Sequence, residues 1–317
     1  MRPLRRLQVD LVIPVYNEAG VVESTHARVR KVIDTLPHEF HFVYVDDGST
    51  DTTAESLRAI AEQDRRVSIV ALSRNFGHQA ALTAGMDAAS REVVITLDGD
   101  GQHPPEMIPE MLDLIQQGYD VIQTQRVDAS EPASFKKWAS GLFYRLMNLL
   151  SGTPIVPGSA DFRALSRTAV DALKAMPEYH RFLRGMVAWI GFPTVILPYQ
   201  PGERSTGRTK YSLNKRLRLA LDALFSFSLA PLYIGLSLAL VLLCLAALEI
   251  VYVLSFWITG RTSTLAPGWS SLMFVVLIVG GLLMALLGFI GVYVGYIFQE
   301  VKRRPVYLTK TKGQNGG

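Results

Sequence analysis

Apolar and polar positions follow two different rhythms along this chain. Residues 11–15, 42–45, 67–72, 93–97 and 121–124 are short, apolar and β-branched, and read as strands. Between them lie segments with helical spacing, such as 54–63 and 79–89. Strands and helices in alternation predict an α/β domain, a Rossmann-like and mostly parallel sheet with helices on both faces. Ligands of such sheets bind at the carboxyl ends of the strands.

Past residue 230 the rhythm changes. Residues 231–257 form an apolar stretch with one ionisable group, Glu249, and residues 269–298 form a longer one with no charge. Each exceeds the roughly 20 residues that cross a bilayer core, so two transmembrane helices are predicted. The second is rich in glycine (Gly280, Gly281, Gly288, Gly291, Gly295), which suits close helix packing in lipid. The loop between them carries only Arg261. Lys215, Arg216 and Arg218 precede the pair, and Lys302, Arg303, Arg304, Lys310 and Lys312 follow it. This asymmetry places both termini, and the α/β domain, on the cytoplasmic side of the inner or plasma membrane. Glu249 should face protein or water, or sit near an interfacial end.

Two further segments look amphipathic. Phe135, Trp138, Leu142, Leu146 and Leu149 share one helical stripe, which fits a membrane surface and a core-facing helix equally. Leu213, Leu217, Leu221 and Leu224 share another beside Lys215, Arg216 and Arg218, and this one reads as interfacial. The expected division is an α/β domain over 1–212, an interfacial helix over 213–230, a two-helix membrane domain over 231–301 and a basic tail over 302–317.

Composition narrows the classes. The chain has 317 residues, 49% apolar and 19% charged, with a net charge of +4. The basic residues flank the apolar segments and lack aromatic interleaving, which favours an anionic membrane surface and argues against nucleic acid. A single cysteine, Cys244, excludes an internal disulfide and a cysteine-based metal site. The N-terminal apolar run is broken by Asp10 and Pro14 and lacks a small-residue cleavage site. It reads as a basic leader and a first strand, not a signal peptide.

Candidate chemistry collects at the predicted strand ends. Asp98 and Asp100 leave the fourth run one position apart, each followed by glycine. Paired carboxylates there can hold a hard divalent cation against a diphosphate. PVYNE (14–18) ends the first run, VDDGSTD with Asp46 and Asp47 ends the second, and SRNFG (73–77) ends the third. VDDGSTD alone is a strand–turn–helix punctuation with Ser49 or Thr50 as N-cap. Beside DGDGQ it becomes part of a nucleotide pocket. His103, before two prolines, reads as an exposed loop histidine and not a ligand.

In this order, PVYNE, VDDGSTD, SRNFGHQAALTAG and LDGDGQHPPE resemble the inverting family 2 glycosyltransferases of the GT-A fold. SADFRALSR (159–167), GERSTGRTKYS (202–212) and the paired apolar segments narrow the resemblance to polyprenyl-phosphate glycosyltransferases, such as dolichyl-phosphate mannose synthase and the bacterial undecaprenyl-phosphate sugar transferases. The resemblance implies that Pro14, Tyr16 and Glu18 contact a nucleotide, with Asp47 near the base and Asp46 beside it. Asp98 would touch the nucleoside or sugar, and Asp100, with Gln102 close by, would bind Mg²⁺ or Mn²⁺. Asp161 is the candidate general base or an orienting partner of Arg163. The acceptor phosphate would meet Arg126, Arg163, Arg204 and Lys210, with Lys137 and Arg208 weaker. The family pattern has serine before that lysine where this chain has Thr209, which keeps a hydroxyl.

The implied reaction is inverting transfer of a hexose from a nucleotide sugar to a polyprenyl phosphate. UDP-glucose and undecaprenyl phosphate are the first choice, and GDP-mannose with a dolichyl or polyprenyl phosphate is the alternative. A processive polysaccharide synthase is disfavoured by the missing Gln-x-x-Arg-Trp and by too few spans. An inactive scaffold is disfavoured by intact Asp98 and Asp100, and a nicotinamide enzyme by the missing G-x-G-x-x-G. The glycine-rich spans and amphipathic segments point to a homo-oligomer, with a tetramer as one candidate state.

Overall fold

The structure is a computed structural model that describes residues 5–127, 156, 158–200, scattered positions between 235 and 260, and 268–310. The chain divides into two compact units, Met1–Leu217 with Arg304–Gly317, and Arg218–Arg303.

The first unit is built on a seven-stranded sheet in the order β3-β2-β1-β4-β6-β5-β7. Its strands are β1 (Gln8–Val15), β2 (Glu39–Asp46), β3 (Val67–Ala71), β4 (Val93–Thr96), β5 (Val121–Arg126), β6 (Ser159–Ser166) and β7 (Thr194–Tyr199). Helices α1 (Val22–Ile33), α2 (Thr53–Gln63), α3 (His78–Ala88), α4 (Ile108–Gln116), α5 (Arg167–Ala175) and α6 (Leu183–Trp189) connect them. The five predicted strands and both predicted helices are present within a few residues of their expected limits. β1, β2, β3 and β4 pair in parallel, as do β5 and β7. β6 runs antiparallel between β4 and β5, so the sheet is mixed but mostly parallel.

β6 was expected only as a motif, and its period-2 alternation decides where the chemistry goes. Ala160, Phe162 and Ala164 point into the main core with Leu11, Ile13, Phe42 and Ile95. Asp161 and Arg163 therefore share the opposite face. Flanking strands hold the β6 backbone in place. Thr96 Oγ1 donates to the Asp161 carbonyl at 2.6 Å, and Thr124 Oγ1 to the Phe162 carbonyl at 2.6 Å.

The predicted N-cap at Ser49 or Thr50 is not realised. Helix α2 begins after Thr52, and the Asp51 carboxylate instead accepts the Thr53 N–H at 3.0 Å. The Ser49 hydroxyl accepts the Asn17 N–H at 3.1 Å, which ties the second turn to the first.

In the second unit, α7 (Trp269–Val301) is one continuous helix of 33 residues, three longer than expected at its end. Its segment Ile278–Val301 is long and apolar enough to cross a membrane. Among the described residues it is the one such helix, so the expected pair is not established. In the first expected span the described positions, from Gly235 to Ile258, are helical, but Glu249 and the loop arginine Arg261 lie outside the described residues. A Cβ on Gly235 would come within 2.0 Å of Leu286 Cδ2, so these two helical segments pack closely there. The five glycines of α7 show no such neighbour among the described residues.

The segment expected to be a separate tail does not stand apart. Residues 304–310 belong to the first unit, where Thr309 forms an antiparallel bridge with Leu72.

Gly85 shows how tightly α3 lies on the sheet, because a Cβ there would sit 2.2 Å from Val12 Cγ1. Alanine normally stabilises a helix over glycine by about 1 kcal/mol. Here the overpacking should reverse the sign, so Gly85→Ala is expected to cost about 1–3 kcal/mol, read as a lower urea midpoint.

Candidate active site

The strand order reverses between β1 and β4, and their carboxyl ends mark the usual ligand crevice of an open α/β sheet. Pro14 is the last but one residue of β1, and Tyr16 is exposed just beyond it. Asn17 adopts a left-handed φ of 53°, and its side-chain oxygen accepts the Thr50 N–H at 2.9 Å. The Glu18 N–H donates to Thr53 Oγ1 at 2.9 Å.

Asp46 and Asp47 are both buried and do structural duty. Asp46 Oδ1 accepts the Ser49 N–H at 2.9 Å. Asp47 Oδ1 accepts the Phe76 N–H at 2.8 Å, and Oδ2 accepts the Gly77 N–H at 2.9 Å. Burial pushes the Asp47 carboxyl up, and those two N–H groups oppose the shift. Asp47 thus clamps the 73–77 loop over the turn. Gly48 makes this approach feasible, since its φ is +67° and a Cβ would meet the Arg74 carbonyl carbon at 2.4 Å.

Past β4 the acidic loop turns tightly. Asp100 Oδ1 accepts the Gln102 N–H at 3.0 Å, and Gly101 has φ +74°. Gly99 lies against β1, where a Cβ would reach Val15 Cγ1 at 2.5 Å. His103 is a correction: it is 7% exposed, not a surface loop residue. It stacks on Phe162 at 5.1 Å, and its Nδ1 accepts the Asp98 N–H at 3.0 Å. A strand far away in sequence thereby fixes the acidic loop. Asp98 itself is about a third exposed, and its Oδ1 is buried without a hydrogen bond.

Behind Asp98 sits a cluster that the sequence only partly indicated. Asp161 is 4% exposed and surrounded by cations. Arg163 Nη2 donates to Oδ1. Arg184 Nε donates to Oδ1 at 3.2 Å and Arg184 Nη2 to Oδ2 at 2.9 Å. His78 Nε2 lies 3.3 Å from Oδ2 and 3.5 Å from Asp98 Oδ1. His78 and Arg184 were not singled out from sequence. His78 starts α3 and Arg184 sits in the first turn of α6, whose Leu183 N–H donates to Gln79 Oε1 at 3.0 Å. Arg163 is 2% exposed and also donates to the Ala160 carbonyl at 3.2 Å. It was expected to receive the acceptor phosphate, and here it is buried against Asp161. Arg126 ends β5 exposed at the sheet edge. Lys137, Arg204, Arg208, Thr209 and Lys210 lie outside the described residues.

Burial disfavours charge on Asp161, yet Arg184, His78 and Arg163 together hold it well below the usual carboxylate range. Burial also opposes charge on His78, but Asp98 and Asp161 outweigh it and push the imidazole up to about 9.

Among the described residues no group of three His, Cys, Asp or Glu side chains is arranged to hold a metal ion by itself. Asp100 with Gln102, beside Asp98, whose Oδ1 has no hydrogen bond and faces His78 Nε2 at 3.5 Å, could serve a different kind of site. Mg²⁺-type ions are commonly held by one or two carboxylates, with substrate phosphates and water completing the shell.

The glycosyl transferase family 2 model matches residues 10–174. The chain belongs to glycosyltransferase family 2. It is 37% identical over 306 residues to the glycosyltransferase YkcC of Bacillus subtilis (strain 168), covering 96% of this chain and 94% of that one. It is 35% identical over 312 residues to the bactoprenol glucosyl transferase of Shigella phage SfV, covering 97% and 100%. The mannosyltransferase PcManGT of Pyrobaculum calidifontis, solved with GDP-Man and Mn²⁺, superposes with a TM-score of 0.50 at 19% identity, covering 71% of this chain and 64% of that one. That likeness shows the GT-A-like α/β fold. The protein is a glycosyltransferase.

Two outcomes test the cluster. In the donor-free and metal-free protein, NMR should find His78 still an imidazolium at neutral pH, titrating near 9. Its folded pKa lies above the unfolded 6.5, so its contribution to stability is full below 6.5 and fades as pH rises through about 9. Asp161→Asn leaves buried Arg163 uncompensated and should cost on the order of 3–5 kcal/mol in urea unfolding. Adding Arg163→Met should recover part of that loss.

Proposed function

We propose that this glycosyltransferase moves glucose from UDP-glucose to undecaprenyl phosphate on the cytoplasmic leaflet, with inversion at the anomeric carbon. One pairing carries the reading: an acidic, nucleotide-sugar type of strand edge occurs in the same chain as a helix long enough to cross a membrane. Such a chain suits a water-soluble donor and a lipid acceptor. Near full-length similarity to proteins named bactoprenol glucosyl transferase supports that acceptor and that sugar.

The donor's nucleotide would lie over Pro14, Tyr16 and Glu18, walled by Asp47 and the 73–77 loop. Asp98, whose Oδ1 makes no hydrogen bond within the protein, would face the sugar. Asp100 and Gln102 would hold Mg²⁺ or Mn²⁺, and that ion would neutralise charge developing on the departing diphosphate.

The acceptor needs little help to become a nucleophile. The second pKa of a phosphate monoester is about 6, so it is largely a dianion at neutral pH. Asp161 is already ionised, and both its oxygens are engaged by Arg163, Arg184 and His78. Its role in this account is to set cations in place, and positioning is where large rate gains are available. Arg184, with its side chain about a third exposed, and Arg126 would receive the acceptor phosphate where Arg163 does not. Lys137, Arg204 and Lys210 would complete that site. A second membrane span, before α7, and a cytoplasmic catalytic unit belong to the same proposal.

A transfer assay tests it. Purified protein with undecaprenyl phosphate and Mg²⁺ should move label from UDP-glucose into the lipid phase. Asp100→Ala or EDTA should reduce this by roughly 100-fold or more. Label moving only from GDP-mannose would replace the donor, and no lipid-phase label from any nucleotide sugar would reject the acceptor.

A further inference from the structure

The residues that follow α7 lie against the wall of the donor pocket. β3 is an edge strand, so its outer row of backbone groups would otherwise be unpaired. Residues 304–310 pair with it only at its carboxyl end. The Lys310 N–H donates to the Ala71 carbonyl at 2.7 Å, and the Ser73 N–H donates to the Leu308 carbonyl at 2.7 Å. Tyr307 anchors the strap. Its ring packs on a small cluster of Val45, Leu72, Ala81 and Ala84, on which Val70 and Phe76 also pack. Its hydroxyl donates to Asp87 Oδ2 at 3.0 Å, on α3. Burial and Asp87 push this phenol up to about 12, so it stays a donor at any physiological pH.

These attachments bracket one loop. Residues 73–77 begin just past Leu72 and end where α3 starts. The loop gives Asp47 the N–H groups of Phe76 and Gly77, and its Arg74 backbone covers Gly48. It then hands the chain to His78, which contacts Asp98 and Asp161. Tyr307 grips both flanks, the end of β3 through Leu72 and α3 through Asp87. Of this loop's supports, the strap alone comes from beyond the apolar helix.

We propose that Tyr307 and the 304–310 strap are positioning elements of the donor site. They hold the 73–77 loop on Asp47 and fix the start of α3, so the segment directly following the apolar helix sets nucleotide affinity. The nucleotide part rests on the donor reading above, whereas the hold on the loop does not.

The test uses the full chain in detergent with Tyr307→Ala, Tyr307→Phe and Lys310→Pro, the last of which deletes a strap N–H. Four quantities are read: hydrogen exchange of residues 73–77, UDP affinity by calorimetry, kcat of the transfer, and the global unfolding midpoint. Tyr307→Ala should speed exchange in the loop selectively and weaken UDP binding about tenfold, while kcat stays within about twofold. Lys310→Pro should act in the same direction. Tyr307→Phe keeps the ring and should weaken UDP by no more than about threefold. Unchanged loop exchange in Tyr307→Ala would overturn the proposal. So would exchange rising uniformly with a lowered midpoint, which is the signature of a purely structural contact. If wild-type protein fails to bind UDP while the loop still loosens selectively in Tyr307→Ala, the donor reading falls and the strap's hold on the loop stands.

Discussion

One buried carboxylate organises this protein. Removing an ion from water costs several kcal/mol, and a carboxylate 4% exposed is tolerable only when cations and hydrogen bonds surround it. Asp161 gets them from three separate elements: Arg163 on its own strand, Arg184 from α6 and His78 from α3. Each needs its element in place, so the charge cluster and the packing of strand against helix are one requirement. The antiparallel insertion of β6 serves it, because period-2 alternation sends Phe162 to the core and Asp161 with Arg163 to the other face. Gln79 then holds the start of α6 through the Leu183 N–H, bringing Arg184 within reach.

This constraint redistributes the acidic residues. Asp46, Asp47 and Asp161 look like ligand-binding groups in one dimension, yet each spends its oxygens within the protein. Asp98 and Asp100, past the end of β4, are the carboxylates on which the proposed donor and metal site draws. The internal carboxylates build a rigid frame, and rigidity favours the positioning on which glycosyl transfer depends. The same frame extends to the strap beyond α7, which supports the loop that Asp47 clamps.

Much of this was legible in sequence, for identifiable reasons. The parallel strands are continuous apolar runs of the kind that sheets buried on both faces produce, and the acidic motifs fall just past their ends. β6 carried its own signal, the alternation of Ala160, Phe162 and Ala164 with Asp161 and Arg163, but charged residues on a buried face disguise a strand. His103 was misread because its partner Phe162 is remote in sequence. His78 and Arg184 had no local mark at all, since their meaning comes from meeting Asp161 in space. The strap had a faint one, in Val306, Tyr307 and Leu308 set within a basic stretch.

The central claim is that Asp161 fixes cations and does not take a proton in the reaction. The direct measurement is the single-turnover transfer rate against pH, with donor, acceptor and metal saturating. The account predicts a rate that levels off above pH about 7, once the acceptor phosphate is ionised, and does not rise again through pH 9. A rate that keeps climbing through pH 9 would show that proton removal limits the step, and would contradict it.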